Sequence, residues 1–330
     1  MVQQQALRDF AQAMIYFFAG THGKPTWRKA GRAEGFRIVA VRPEHVRRLN
    51  RRTGTVWVPK VGWVRFRWSR DVPAAKSYRV TRDRAGRWHI AFAVLPAPIA
   101  APGTGEVVGV DRGVAVSAAL STGELVCAPR LSLGRRRRLG LLQRKLARSR
   151  PGSRRRTARK LAIARLKARE TDARKDWCEK LSTDLARRFD LIRVEDLRIA
   201  NMTRSAKGTL GQPGRNVAAK AGLNREIMRS GWGQLVRRLE DKAPGRVQKV
   251  TPVYTSQRCS RCGHTAAGNR KSQAVFACLA CASTLNADVN AARNIAAGHA
   301  VTARGRPGPP GRMNREPHLA LSARGEIPRS

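Results

Sequence analysis

The sequence predicts an α/β fold: a core of strands and helices that carries an inserted basic helical hairpin and a four-cysteine ribbon, preceded by a small barrel of short strands. Three observations predict it. The apolar run Val107-Val108-Gly109-Val110 ends in Asp111 and is followed by a second apolar segment, Val114 to Leu120. Between Leu131 and Lys180 there are 19 Lys+Arg against four Asp+Glu, with leucines at helical spacing. Late in the chain, Cys259-x-x-Cys262 and Cys278-x-x-Cys281 are separated by 15 residues. Across all 330 residues, 67 Lys+Arg against 22 Asp+Glu give a formal charge of +45. A compact chain tolerates that surplus beside a polyanion, so nucleic acid is the expected partner. With 42% hydrophobic residues the chain can bury a core, which excludes wholesale disorder. No apolar run reaches the roughly 18 residues of a membrane span. The start, MVQQQALRDF, has no signal-peptide pattern, so the expected setting is the reducing cytoplasm, beside the nucleoid.

Element by element, residues 2 to 20 read as a helix and the Gly/Pro/Arg-rich stretch to Gly35 as a loop. Phe36–Val41, Thr55–Val58, Val61–Trp68, Tyr78–Arg82 and Arg87–Leu95 are rich in β-branched and aromatic residues, with Asp83 to Gly86 as a hairpin turn. These are the strands of the barrel, residues 1–95. Trp27, Trp57, Trp63, Trp68 and Trp88 fall there among Arg65, Arg67, Arg70 and Arg87. They fit either a base-stacking, phosphate-neutralising surface or a barrel core with a solvated basic exterior. Residues 96–105 read as a linker. Val107–Asp111, Val114–Leu120 and Glu124–Val126 open an antiparallel sheet of ribonuclease-H-like type, the core spanning 106–256. Leu139, Leu142, Leu146, Leu161 and Leu166 place one narrow apolar face on a helical hairpin, residues 134–180. Its uncompensated cations Arg135, Arg136, Arg137, Arg138, Arg144, Lys145, Arg154, Arg155, Arg156, Arg159 and Lys160 are the expected nucleic-acid contacts. A helix through Trp177, Leu181 and Leu185 returns to the core, and the strand Leu191–Val194 delivers Glu195. Residues 202–216 are expected as a loop and Trp232, Leu235, Val236 and Leu239 as an amphipathic helix. Arg246–Val250 reads as a strand. The ribbon occupies 257–284, and a last helix, capped by Asn286, occupies 285–300. Residues 301–330 hold five Pro, four Gly and six Arg and read as a disordered basic tail. No internal repeat is present.

Two constellations carry chemistry. Four soft thiolates in two knuckles, Cys259, Cys262, Cys278 and Cys281, have the spacing of a closed structural zinc site. A thioredoxin-like redox centre needs one CxxC at a helix start and fits less well. Cys127 and Cys178 stand apart and read as small core residues. The second constellation is Asp111, Glu195 and Asp288, at two strand ends and in the first turn of the last helix. Those positions converge on one edge of a ribonuclease-H-like sheet. Converging carboxylates hold paired Mg²⁺ ions for phosphodiester hydrolysis. A DDE transposase would place its Glu last, on a helix, and a tyrosine transposase would need an HxH pair, which is absent. A basic ribosomal-type zinc-ribbon protein would leave the acids unexplained.

GVDRGVAVSAALSTG (109 to 123), VEDLRIANMTRS (194 to 205), YTSQRCSRCGHT (254 to 265) and DVNAARNIAAG (288 to 298) together resemble the OrfB/TnpB family of insertion-sequence proteins. The resemblance spans residues 106 to 300 and extends less specifically upstream to Phe36. It implies a RuvC-like nuclease domain interrupted by a zinc ribbon, acting as an RNA-guided DNA endonuclease related to type V CRISPR effectors. The implied guide RNA comes from the transposon end and the implied substrate is target DNA. Asp111, Glu195 and Asp288 would be the catalytic metal-binding acids and the four cysteines the zinc ligands. Relative to that family the chain reads as shortened at its N-terminus, with an incomplete barrel. The alternative expectation is therefore a truncated relative that binds nucleic acid without cleaving it.

Overall fold

The computed structural model describes residues 2–26 and 34–298; Trp27, His299 and the expected tail lie outside the described residues. The chain opens with α1 (Val2–Phe18), which buries no residue fully and leans on β1 (Gly35–Val39) through Asp9, paired with Arg37 at 3.4 Å and Arg79 at 3.7 Å. β2 (Val46–Arg48), β3 (Thr53–Val58) and β4 (Gly62–Arg67) form one antiparallel sheet. β5 (Ser77–Arg82) and β6 (Trp88–Phe92) join β1 in a second. The two three-stranded sheets clasp one core of Ile38, Val56, Val58 and Tyr78, with Phe36, Phe66 and Phe92 packed around it. Among the described residues no ladder joins them, so the expected barrel is a split one. β2 escapes sequence reading because Arg47 and Arg48 hide a three-residue strand. The Asp83–Gly86 turn closes as Asp83 Oδ1 accepts from the amides of Ala85 and Arg87, both at 2.9 Å.

Residues 96–105 are strapped down rather than free. The Ile99 amide donates to Lys242 O at 2.7 Å and its carbonyl accepts from Arg246 at 2.7 Å, while the Asp190 carboxylate receives the amides of Gly103 and Gly105. β7 (Val107–Asp111) follows, then β8 (Ala118–Leu120) and β9 (Leu125–Val126). The second strand is shorter than the expected Val114–Leu120 because residues 113–117 are held as a loop. Trp232 Nε1 donates to Gly113 O (3.1 Å) and Arg130 Nη2 to Val114 O (2.7 Å). Cys127 is exposed at this loop's edge, contrary to the core placement expected of it, whereas Cys178 is fully buried.

α2 (Leu133–Ala147) and α3 (Arg154–Arg188) pack as an antiparallel pair over Leu131, Leu139, Ile163 and Leu166. The return helix through Trp177 is the second half of α3, which runs unbroken for 35 residues. β10 (Leu191–Glu195) leads into the short α4 (Ile199–Met202), a loop, α5 (Val217–Ser230), α6 (Trp232–Lys242) and β11 (Val247–Val250). α5 is absent from the sequence reading. Gly231 separates it from α6 at φ +78°, and a Cβ there would lie 3.1 to 3.2 Å from Arg174 and from the Cys178 sulfur. The ribbon hairpin, β12 (Val275–Ala277) with β13 (Thr284–Asn286), runs directly into α7 (Ala287–Ala297).

The main sheet has the order β11-β10-β7-β8-β9, parallel from β11 to β7 and antiparallel beyond. Alternation along its strands decides which side chains meet. Val108, Val110, Ile192 and Val194 face Leu181, Leu185, Leu235 and Leu239 of α3 and α6. Gly109, Asp111, Arg193 and Glu195 face the other way, toward α7. A Cβ at Gly109 would stand 2.0 Å from Ala292 O and 2.4 Å from the Ala296 amide nitrogen, so α7 can lie on β7 only because that residue is glycine.

Candidate active site and metal centre

The strand parity that puts Asp111 and Glu195 on the α7 side also makes them neighbours. Val110 pairs with Val194 in register, so the acids that follow emerge side by side at the carboxyl ends of two parallel strands. Asp288 comes to the same edge from the first turn of α7, where the Asn286 side chain accepts from the amides of Asp288 (3.0 Å) and Val289 (3.2 Å) and fixes where the helix starts. The structure therefore brings together the three acids picked from sequence.

Their electrostatics show an unmet demand for positive charge. Burial, then repulsion from Glu195 and Asp288, pushes the Asp111 carboxyl up to about 7, with Arg270 opposing. Glu195 is raised by burial, against a 2.7 Å hydrogen bond donated by Thr255 Oγ1 to its Oε1. Asp288 is raised by burial too, against the Arg270 guanidinium 3.3 Å away. Among the described residues the four cysteines, not these acids, form the group whose ligand atoms all lie within 4.8 Å of one another.

Four flanking residues were not assigned from sequence, although the motifs contain two of them, Arg112 and Thr255. Arg112 is 5% exposed and donates to the Glu195 carbonyl, while its Nε finds no partner. Thr255 fixes one Glu195 oxygen. Trp232 anchors the loop that follows Asp111. Arg270, from the ribbon, faces Asp288 and carries no signal of its own among so many arginines.

In the ribbon, Cys259 and Cys281 sulfurs are 3.8 Å apart and those of Cys262 and Cys278 are 3.5 Å apart. A tetrahedral zinc with Zn–S near 2.3 Å demands about 3.8 Å between sulfurs, so the donor set fits that ion. The two knuckles repeat one geometry. The Cys259 amide donates to His264 O and the Cys278 amide to Ser283 O, both at 2.9 Å, and Gly263 and Ala282 turn through φ +80° and +55°. Amide donors from Cys281 and Ala280 hold the Cys278 thiol down to about 6. His264 contributes its backbone only. Buried Asn269 clamps the knuckles together, donating to His264 O (3.2 Å) and accepting from the Leu279 amide (2.9 Å).

The hairpin cations divide into two groups. Arg135, Arg136, Arg137, Arg138, Arg144, Lys145, Arg154, Arg155 and Lys160 are exposed. Arg156 and Arg159 are half-buried and tie the hairpin turn: Arg156 donates to Leu146 O (2.9 Å) and Ser149 O (3.0 Å), and Arg159 to Lys145 O (2.7 Å). Their guanidiniums serve the carbonyl end of α2, a structural role not expected from sequence.

Two family models match: "Probable transposase" (OrfB of IS605) over residues 72–206 and the "Cas12f1-like, TNB domain" over residues 232–295. A curated relative from Escherichia coli K12, "Putative RNA-guided DNA endonuclease InsQ", is 39% identical over 97% of this chain and 80% of its own length. The chain belongs to the OrfB/TnpB family. A second member, a "Putative RNA-guided DNA endonuclease" of Streptomyces pristinaespiralis, is 33% identical over 92% of this chain and 72% of its own. The Cas12f1 endodeoxyribonuclease of Sulfoacidibacillus thermotolerans is 57% identical over 56 residues, 17% of this chain and 13% of that one. In fold, this OrfB/TnpB member is similar to a Cas12f1 chain solved by cryo-EM with sgRNA and target DNA (TM-score 0.50, 15% identity, 86% of this chain and 68% of that one). No helix among the described residues is long and apolar enough to cross a membrane.

The buried acids give a pH prediction whose sign is fixed. With its pKa raised, Asp111 holds a proton in the native state that the unfolded chain releases near pH 4, so its favourable contribution is complete below about pH 4 and is lost as pH rises through about 7. In magnesium-free buffer, Asp111→Asn is expected to melt close to the parent at about pH 5 and above it at about pH 8. Magnesium should raise the parent's melting temperature and leave the variant's nearly unmoved. A difference between the two that is flat with pH would contradict the buried, mutually repelling arrangement.

Proposed function

We propose that the chain is a transposon-associated, RNA-guided DNA endonuclease. The observation that carries this reading is the meeting of Asp111, Glu195 and Asp288 on one sheet edge in a chain 39% identical to a relative of that name. Asp111, Glu195 and Asp288 are the residues that would hold magnesium, and Cys259, Cys262, Cys278 and Cys281 those that would hold zinc. A magnesium pair bound there supplies an activated water and stabilises the attacking and leaving oxygens of a phosphodiester. The chain's own groups prepare that site. Arg112 ties the end of β10 to the residue after Asp111, Thr255 orients Glu195, and Arg270 offsets part of the negative charge from the ribbon side. The exposed face of α2 and α3 holds RNA and the RNA–DNA duplex through phosphate charge, leaving sequence choice to base pairing. The guide RNA derives from the transposon end, and the setting is the cytoplasm, at the nucleoid.

The test is to express the chain with its flanking transposon end, sequence the RNA that co-purifies, and offer supercoiled DNA complementary to that RNA. A discrete RNA ending at the element boundary, with magnesium-dependent linearisation of matched DNA, is expected. Discrete RNA without cleavage would assign the chain to non-cleaving binders. Affinity for RNA should also fall steeply with salt, with a log–log slope of several units, because many phosphates are engaged at once. A shallow slope measured by filter binding would contradict the role given to the hairpin.

A further inference from the structure

A cavity of about 620 Å³ lies against the edge that carries the acids, within the range of about 300–1,000 Å³ usual for small-ligand sites. One wall is Val114 and Ala115, on the loop that follows Asp111. Another is Gln273, whose carbonyl accepts from Arg270 Nη2 at 3.1 Å, the same nitrogen that stands 3.3 Å from Asp288 Oδ1. Two hydrogen bonds therefore join the cavity wall to one of the three acids. α5 supplies a third wall through Leu223, Glu226 and Arg229, spaced three residues apart on one side of the helix. This helix falls between the two matched family segments, 72–206 and 232–295. The polar lining alternates in sign: Arg130 stands 3.9 Å from Glu226, Glu226 2.7 Å from Arg229, and Arg229 3.8 Å from Glu170. In a chain with 22 acids against 67 cations, two carboxylates turned into a cleft beside the acids would repel a phosphate. They suit a group that donates hydrogen bonds. A carboxylate has about four acceptor positions, so the one close guanidinium at Glu226 leaves room for further donors. Val114 and the half-exposed Leu223 add apolar surface for a flat ring.

We infer that this cavity takes the unpaired nucleobase beside the cut in the DNA strand being cleaved, and that Glu226, with Arg130 and Arg229, reads its edge in favour of bases that carry an exocyclic amino group. Pairing of a guide RNA with one DNA strand displaces the other, and a single strand led across Asp111, Glu195 and Asp288 has bases free to leave the stack. Adenine, cytosine and guanine each offer an amino group to a carboxylate and an acceptor to a guanidinium, whereas thymine has no amino group. Arg136 also lines the cavity and among the described residues pairs with no acid, which leaves it for an adjoining phosphate. The inference rests on the endonuclease reading above and adds a base preference at the cut, which pairing with the guide does not supply.

The test uses the full chain with its guide RNA and a DNA target whose displaced strand carries a randomised, unpaired window, the guide-paired strand being held constant. Sequenced product ends are compared with the input pool, so the readout is a ratio of bases within one reaction. Thymine is expected to be depleted about fivefold or more at one position beside the cut and evenly represented at the others. Glu226→Gln, which puts an amide donor where the carboxylate only accepts, should bring that depletion to within about twofold, and Glu226→Ala should do the same. An even base distribution beside the cut in the parent would overturn the pocket. So would a bias that the Glu226 variants leave unmoved, including a loss of rate equal for all four bases, which would assign the cavity to backbone instead. Should the Glu226 variants fail to fold, 5-iododeoxycytidine placed beside the mapped cut and irradiated on the chain carrying Asp111→Ala must label the peptide containing residues 217–230 or that containing 113–130, and labelling elsewhere alone would overturn the inference. If the parent cuts no guided target at all, the endonuclease reading fails and the pocket with it; if it cuts without base preference, only the pocket fails.

Discussion

Asp111→Ala is expected to lower guided DNA cleavage by at least about a thousandfold and to leave RNA binding within about twofold. The magnitude follows from the several kcal/mol of charge stabilisation that metal-holding carboxylates supply, at roughly 1.4 kcal/mol per tenfold in rate. The asymmetry follows from position. Asp111 sits at the end of β7 on the α7 side, while the exposed cations of α2 and α3 stand on a hairpin with its own small core. Its removal also eliminates a repelled, buried carboxyl, so near neutral pH the variant should melt no lower than the parent. That stability arm separates chemistry from architecture. A variant that loses cleavage, RNA binding and several degrees of melting temperature together would show that Asp111 braces the sheet edge. Single-turnover cleavage, filter binding and a thermal melt on one preparation decide among these outcomes.

The acids and cysteines were legible in the sequence because each carries a local signature. A carboxylate closing a run of buried strand residues, or a pair of thiols two residues apart, has few other uses, and here the acids stand out further in a chain with 22 acids against 67 cations. Arg112 and Arg270 had no such contrast. One arginine in a strongly basic chain reads as surface, and only the fold shows the first buried against the Glu195 carbonyl and the second facing Asp288. α5 was missed because it begins at Asn216 in a left-handed conformation, with no side-chain cap and no acid in its first turn. The seam from Val114 to Ser117 was misread as strand because its apolar residues match the pattern, while the donors that hold it as a loop, Trp232 and Arg130, come from other elements. Cys127 was misplaced with it. Arg156 and Arg159 look like their neighbours in sequence and differ only in facing the carbonyl end of the adjoining helix.

Cys259→Ser should unfold the ribbon and, with it, abolish cleavage, although no cysteine touches the acids. The coupling runs through three buried asparagines. Asn290 on α7 accepts from the Ser260 amide (2.9 Å) and donates to Arg258 O (2.8 Å), and Asn294 one turn on donates to Thr255 O (2.9 Å) and Arg258 O (2.7 Å). Asn269 locks the two knuckles to each other. The segment from 255 to 260 thus spans Glu195, which Thr255 orients, and α7, which carries Asp288. Because the ribbon's core is Phe276, Ala287 and its own cysteines, a bound zinc would supply most of its folding free energy, on the scale of about 10 kcal/mol for four-ligand zinc peptides. Loss of one ligand should therefore lower bound zinc from one equivalent toward none, remove a stabilisation of several kcal/mol, and free both Thr255 and the start of α7. RNA held by the hairpin should stay bound. Asn290→Ala isolates the linkage: it leaves the four sulfurs in place, so zinc content by metal analysis should stay at one equivalent while cleavage falls. Retained cleavage in Asn290→Ala together with loss in Cys259→Ser would mean that the ribbon acts by some route other than the α7 clamp, and full cleavage in both would detach the metal from the active site altogether.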